Sequence, residues 1–290
     1  MAQWGPRILK ETRQAVGGRI LQCAHQSESL AGTAVFSLFL PEQSSQRCVP
    51  ALFCLLGDDS DESSFLPETR AFEAAATHGL ALVVVPAVHE QWKQYTSSDL
   101  PWILRYHFPV DVERVSLMGH GLSSGVDNNN GGIKALGLAM DPSLRAWVPS
   151  VSAFGARTAE EGRKDTAHAP TEPSTPEPSS LMRRHGPFPL TSFLIDEGTS
   201  SSPRGESQAE DLASAARAVG QRAMTLRHRS EYDGGLSGSG EFISQHIAFH
   251  ADALRHAAEE DNQPPGLSYR VTSARRIVEP QTGPGPGSVG

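Results

Sequence analysis

Three short apolar runs narrow the choice of fold more than any other feature of this chain: PALFCLLG at residues 50–57, LALVVV at 80–85 and VSLM at 115–118. Each is almost continuously apolar and ends at Gly, Pro or a turn, without the alternation of a strand that faces water on one side. Runs of this kind fit strands of a parallel sheet covered by helices on both faces. Helical stretches separate them. Residues 68–78 are Ala-rich and stop at Gly79, a left-handed cap position. Residues 99–107 support a short helix, with Asp99 as N-cap and Pro101 in the first turn. Further strands are expected at 19–24, 32–40, 146–154, 192–196 and 222–230. This alternation predicts an α/β fold, a mostly parallel central sheet flanked by helices.

The 290 residues fit one large α/β domain or two small ones. Composition divides the chain further. Residues 157–187, TAEEGRKDTAHAPTEPSTPEPSSLMRRHGP after Arg157, are rich in Pro, Ser, Thr and Glu and read as a disordered insertion. Residues 1–18 read as an N-terminal extension, 19–258 as the folded domain and 259–290 as a disordered tail. A net charge of −8 argues against a nucleic-acid partner, because phosphate binding needs clustered Lys and Arg. Cys23, Cys48 and Cys54 are odd in number and lack metal spacing, which fits a reducing compartment. The N-terminus lacks a signal-peptide run, and the most apolar stretch, 80–88, is too short for a bilayer and holds Pro86. The expectation is a cytoplasmic protein without a membrane, metal or cofactor.

The run at 115–118 enters a glycine-flanked turn, reading VSLMGHGLSSG to Gly125. Within it, GLSSG at 121–125 satisfies the G-x-S-x-G nucleophile pattern with Ser123. The strand, however, should reach its elbow at Gly119, two residues too early for Ser123. His246 and His250 stand at i, i+4 on a helix, but with no carboxylate or third ligand beside them they read as a partly exposed helix face. His228 reads as an exposed strand residue. Asp58, Asp59, Asp61 and Glu62 form a solvated acidic loop without EF-hand spacing.

Several segments together, in order along residues 19–258, resemble the esterase D or S-formylglutathione hydrolase family: FSLFLPE, PALFCLLG with Phe65 downstream, THGLALVVVP, FPVDVERVSLMGH from Phe108, SVSAFG from Ser150, FLIDEG from Phe193, and EYDGG followed by FISQHIAFHA. The resemblance implies a single α/β-hydrolase domain and hydrolysis of S-formylglutathione and simple carboxylic esters. It places the nucleophile on Gly121, the acid on Ser201 and the histidine on Gly234. None of these can serve its role in a serine–histidine–acid triad. If the chain is offset within the turn, Asn128 or Asn129 takes the nucleophile place, and neither is a serine. The oxyanion donors fall on the amides of Asp58, inside the acidic run, and Leu122. The family's glycine- and aromatic-rich pocket wall is reduced to AVHEQWKQYTSSD between Pro86 and Leu100. His120 corresponds to a position that supports the elbow, and Asp196 and Asp233 to structural aspartates. Two readings follow: a member of the fold without hydrolase activity, or a residual serine esterase that uses Ser123 with a relocated histidine. The implied ligand is a small ester or thioester, and the implied assembly is a homodimer.

Overall fold

In the computed structural model, which describes residues 9–57, 62–87, 91–122, 130–142, 148–156, 177–198 and 207–261, the apolar runs form the middle of a sheet. Among the described residues nine strands join it: β1 (Leu9–Ala15), β2 (Gly18–Ser27), β3 (Gly32–Pro41), β4 (Val49–Leu56), β5 (Ala81–Pro86), β6 (Val110–His120), β7 (Ser150–Ala156), β8 (Ser192–Gly198) and β9 (Met224–Arg229). Their order is β1-β2-β3-β5-β4-β6-β7-β8-β9. The six strands from β5 to β9 run parallel, and β3, β2 and β1 continue the sheet antiparallel. The mostly parallel sheet read from sequence is therefore present.

The helices are α1 (Glu62–Thr69), α2 (Ala71–His78), the single turn α3 (Trp92–Gln94), α4 (Leu100–His107), α5 (Gly131–Ala139), α6 (Pro178–His185), α7 (Gln208–Ala218) and α8 (Gly240–Asp261). They cover both faces of the sheet, and the period-2 geometry of each strand divides its side chains between two cores. Ala51, Phe53 and Leu55 of β4 pack with Leu104 of α4, Ile133 and Leu136 of α5 and Leu212 of α7. Leu52, Cys54 and Leu56 turn the other way, onto Phe65 of α1, Ala75 of α2 and Ile247 and Leu254 of α8. This two-sided burial is why the central strands show no polar alternation.

Helix α5 sits unusually close to the sheet. A Cβ on Gly119 would lie 2.2 Å from the Gly131 carbonyl oxygen, and one on Gly131 would lie 2.3 Å from that of Leu55. The contact is backbone against backbone, so only glycine fits at either position.

Several boundaries differ from the sequence reading. The extension assigned to residues 1–18 contains β1, whose Leu9–Ala15 pairs along its whole length with β2. The insertion assigned to 157–187 ends in α6. Pro178 begins that helix, Arg183, Arg184 and His185 occupy its last turn, and Met182 is buried. Averaging composition over a long polar stretch hid these end signals. Helix α8 continues to Asp261, past the boundary at 258. The long helix expected over 68–78 divides at Arg70, which has φ of 52°, and ends at Gly79 in the left-handed conformation as expected. Asp99 caps nothing; its carboxylate instead accepts hydrogen bonds from Ser27 and Ser29 at 2.7 Å. No described helix is long and apolar enough to cross a membrane.

If α6 is part of the core, Met182→Ala should cost about 2–5 kcal/mol in urea unfolding, as for a buried large-to-small change. A variant within error of wild type would mean the helix does not pack as described.

Candidate functional site

The carboxyl ends of β6, β7 and β8 meet the loop that follows β9, the usual location of chemistry in open α/β sheets. Strand β6 ends at His120, and Gly121 follows with φ of 98°. The Gly121 amide donates to the Phe154 carbonyl at 2.8 Å, while its own carbonyl accepts from the Gly132 amide at 2.9 Å. The turn is thus tied to β7 on one side and to α5 on the other. His120 reaches across it, and its Nε2–H donates to the Gly234 carbonyl at 2.7 Å. Burial lowers the His120 pKa, opposed by that backbone hydrogen bond. The ring therefore acts as a neutral strut between two turns, the supporting role read for it from sequence.

Gly234 also has a positive φ, 99°, and a Cβ there would lie 2.6 Å from the Ala156 Cβ. A Cβ on Gly155 would lie 2.7 Å from the Leu122 nitrogen and 3.0 Å from the Gly121 Cα. Residues 121, 122, 155, 156 and 234 therefore form one tight cluster, and neither Gly121 nor Gly234 brings a side chain to it. Helix α5 starts at Gly131 and not directly after Leu122, as the sequence indicated. Ser123, Asn128, Asn129, Ser201, Asp58, Asp59 and Asp61 lie outside the described residues.

The largest correction concerns the histidines of α8. His246 and His250 are completely buried, not on a partly exposed face. They continue the inward stripe of Phe242, Ile243, Ile247 and Leu254, a 3.6-residue period that the sequence already contained. A carboxylate does lie beside them: Asp196 Oδ2 is 3.3 Å from His246 Nε2, within ion-pair reach but outside good hydrogen-bond geometry. Asp196 is held more firmly by β9. Arg227 Nε donates to Oδ1 at 2.5 Å, and Arg229 Nε donates to Oδ2 at 3.0 Å. Both guanidinium groups also bond Gln245 on α8. Burial alone would raise the Asp196 pKa, but contacts with His246 and Arg227 outweigh it and hold the group at about 2. Desolvation keeps His246 itself below its ordinary value. With the imidazole uncharged near neutral pH, the ion pairs that neutralise the buried carboxylate are those with Arg227 and Arg229. Asp196 is a structural residue, as read, and Asp233 accepts a local hydrogen bond from the Gly235 amide at 2.9 Å.

His250 lies deeper. Its Nδ1 is 2.8 Å from Ser150 Oγ and its Nε2 is 2.7 Å from Ser152 Oγ, while Ser150 Oγ lies 2.7 Å from Ser116 Oγ. Hydroxyl and imidazole are in contact here, as hydrolysis requires. However, all four side chains are fully buried, and Ser150 opens β7 at the end of the strand away from the glycine cluster. Both ring nitrogens are taken by hydroxyls, which leaves no carboxylate to orient the ring. The arrangement satisfies buried polar groups.

No protein-family model matches the chain. The S-formylglutathione hydrolase of Bos taurus is 24% identical over 270 residues, 79% of this chain and 92% of that protein. Its counterpart from Paracoccus denitrificans is 26% identical over 268 residues, with the same two coverages, 79% and 92%. The solved S-formylglutathione hydrolase of Agrobacterium tumefaciens superposes with a TM-score of 0.71 at 21% identity, covering 85% of this chain and 99% of that one. This chain is a distant relative of the S-formylglutathione hydrolases. It has the α/β-hydrolase fold. In this relative the ends of β6 and β7 meet the β9 loop through glycine and alanine, and the imidazoles nearest them are buried in structural contacts.

These buried imidazoles generate a pH dependence. Desolvation lowers the pKa of both His246 and His250 in the folded chain. The unfolded chain, with His near about 6.5, then binds more protons, so stability is complete above that pH and declines as pH falls below it. Asp196 adds a second loss between about 4 and about 2. Urea unfolding at pH 7, 6 and 5 should show falling stability, with a shallower slope in His250→Asn. A flat profile in the wild type would contradict the buried neutral histidines. Ser152→Ala should cost about 1–3 kcal/mol by leaving a buried ring nitrogen unpaired.

Proposed function

We propose that this chain keeps the α/β-hydrolase fold as a binding scaffold and does not hydrolyse esters or thioesters. The observation that carries the reading is the pair of glycines at 121 and 234, aligned through the resemblance with nucleophile and general base. Both stand at the carboxyl end of the sheet against β7, Gly121 beside Gly155 and Gly234 beside Ala156, both with positive φ and neither with a functional group. At 234 the space a side chain needs is filled by Ala156, 2.6 Å from where its Cβ would begin. The site has closed around the missing imidazole.

Backbone energetics point the same way. A nucleophile elbow holds its residue in a strained turn, and a non-glycine residue at such a φ costs about 1–3 kcal/mol. Glycine at 121 removes that cost, so loss of the hydroxyl relaxes the turn that once presented it. The relatives' names specify S-formylglutathione as their substrate, and a small thioester or ester is the ligand class we assign to this scaffold. A cytoplasmic setting is part of the same reading.

The full chain assayed with p-nitrophenyl acetate and S-formylglutathione should show only the uncatalysed rate. Saturable turnover that disappears in Ser123→Ala, or covalent fluorophosphonate labelling of Ser123, would overturn the reading in favour of a residual esterase. Gly121→Ser should remain inactive, because the aligned base position is Gly234 and carries no imidazole, and should lower stability by about 1–3 kcal/mol.

A further inference from the structure

Successive residues of β8 point to opposite faces of the sheet, so Asp196 turns to α8 and Glu197 turns to α7. On the α7 face, Glu197, Glu210 and His228 each bring one ligand atom within 4.8 Å of the others. Glu197 and His228 are register partners across β8 and β9. Glu210 stands in the first turn of α7. His228 Nδ1 is 3.4 Å from Glu197 Oε2, and His228 Nε2 is 3.6 Å from Glu210 Oε1.

The Glu197 carboxylate is almost wholly buried, at 2% exposure. Ser207 Oγ donates to its Oε1 at 2.5 Å and accepts from the Glu210 amide at 3.0 Å. One hydroxyl therefore fixes the buried carboxylate and the start of the helix that carries the second carboxylate. The other Glu197 oxygen is turned towards the imidazole. A hydrogen-bonded partner that orients a ligating carboxylate is a regular feature of built metal sites.

We propose that Glu197, Glu210 and His228 bind a divalent transition-metal ion of the zinc class, with the remaining coordination position open to solvent. Zinc bonds to nitrogen and oxygen of about 2.0–2.2 Å place tetrahedral ligand atoms about 3.3–3.6 Å apart. His228 Nδ1 and Glu197 Oε2, at 3.4 Å, already stand at that spacing, whereas Glu210 lies nearest the other ring nitrogen, Nε2, and must swing towards Nδ1 to join them. Closing all three groups on one ion requires the rotation of Glu210, whose side chain is 57% exposed. Two carboxylates supply the charge that a divalent cation neutralises. The imidazole selects against magnesium and calcium, which take oxygen ligands in larger number. The bound ion would pin α7 to the ends of β8 and β9. This site is independent of whether the glycine cluster hydrolyses anything.

The test uses the full chain, treated with a chelator and then titrated separately with Zn²⁺ and Co²⁺, beside Glu210→Gln and His228→Gln. Both variants change exposed side chains, and circular dichroism checks that they fold. The wild type should bind one equivalent of either ion, give a cobalt d–d absorption band with nitrogen and oxygen ligands, and gain thermal stability with zinc. Loss of a partner group at such sites weakens binding about 10–100-fold, so each variant should lose at least about tenfold. Absence of saturable binding would overturn the proposal. So would binding that both variants retain, which would place the ion on other surface histidines such as His107.

Discussion

The arrangement of the sheet end depends on a contact between two backbones. Helix α5 rests on β6 and β4 with Gly131 against Gly119 and Leu55, at separations where a single Cβ would overlap a carbonyl oxygen. That approach lets the Gly132 amide reach the Gly121 carbonyl and lets the Gly121 amide reach β7. The geometry of the turn is therefore set by what is missing from the surrounding side chains. Residue 121 itself contributes only backbone to this turn.

Strands β8 and β9 organise charge in the same two-sided manner in which the central strands organise apolar groups. Asp196 faces α8, where Arg227 and Arg229 neutralise it and Gln245 accepts from both guanidinium groups. Glu197 faces α7, with Ser207 and His228. Breaking a buried pair from one side leaves a charge without compensation, which costs far more than the pair contributes when intact. This explains why the carboxylates, arginines and histidines come as sets tied to particular strand registers. The hydroxyls around His250 serve the same end without charge.

Much of the fold could be read directly from the sequence. Strand runs such as LALVVV owe their appearance to burial on both faces, a local consequence of the global fold, so β4, β5 and the end of β6 were recognisable. Gly79 marked a helix end because its left-handed backbone is a property of one residue. Other features were less visible. Helix α6 was hidden by the polar composition around it. The strand β1, LKETRQA, is mostly polar because it lies at the sheet edge, paired along its length with β2 and, among its described side chains, touching the core only through Ala15. His246 and His250 carried a legible signal, since their spacing continues the apolar stripe of α8. Reading them as surface groups gave the polarity of the side chain more weight than its phase.

The sequence by itself determined the class of fold, the absence of a hydroxyl at residue 121 and of an imidazole at residue 234, and the phase of each buried helix face. These follow from residue identity and from periods of two and 3.6, which are local. Only the tertiary structure decided that Asp196 pairs with Arg227 and Glu197 with His228, that Ser150 and Ser152 hold His250, and that Ala156 fills the space beside Gly234. Those contacts join residues far apart in the chain, and their partners are set by strand register and helix seating, which depend on the packing of the whole molecule.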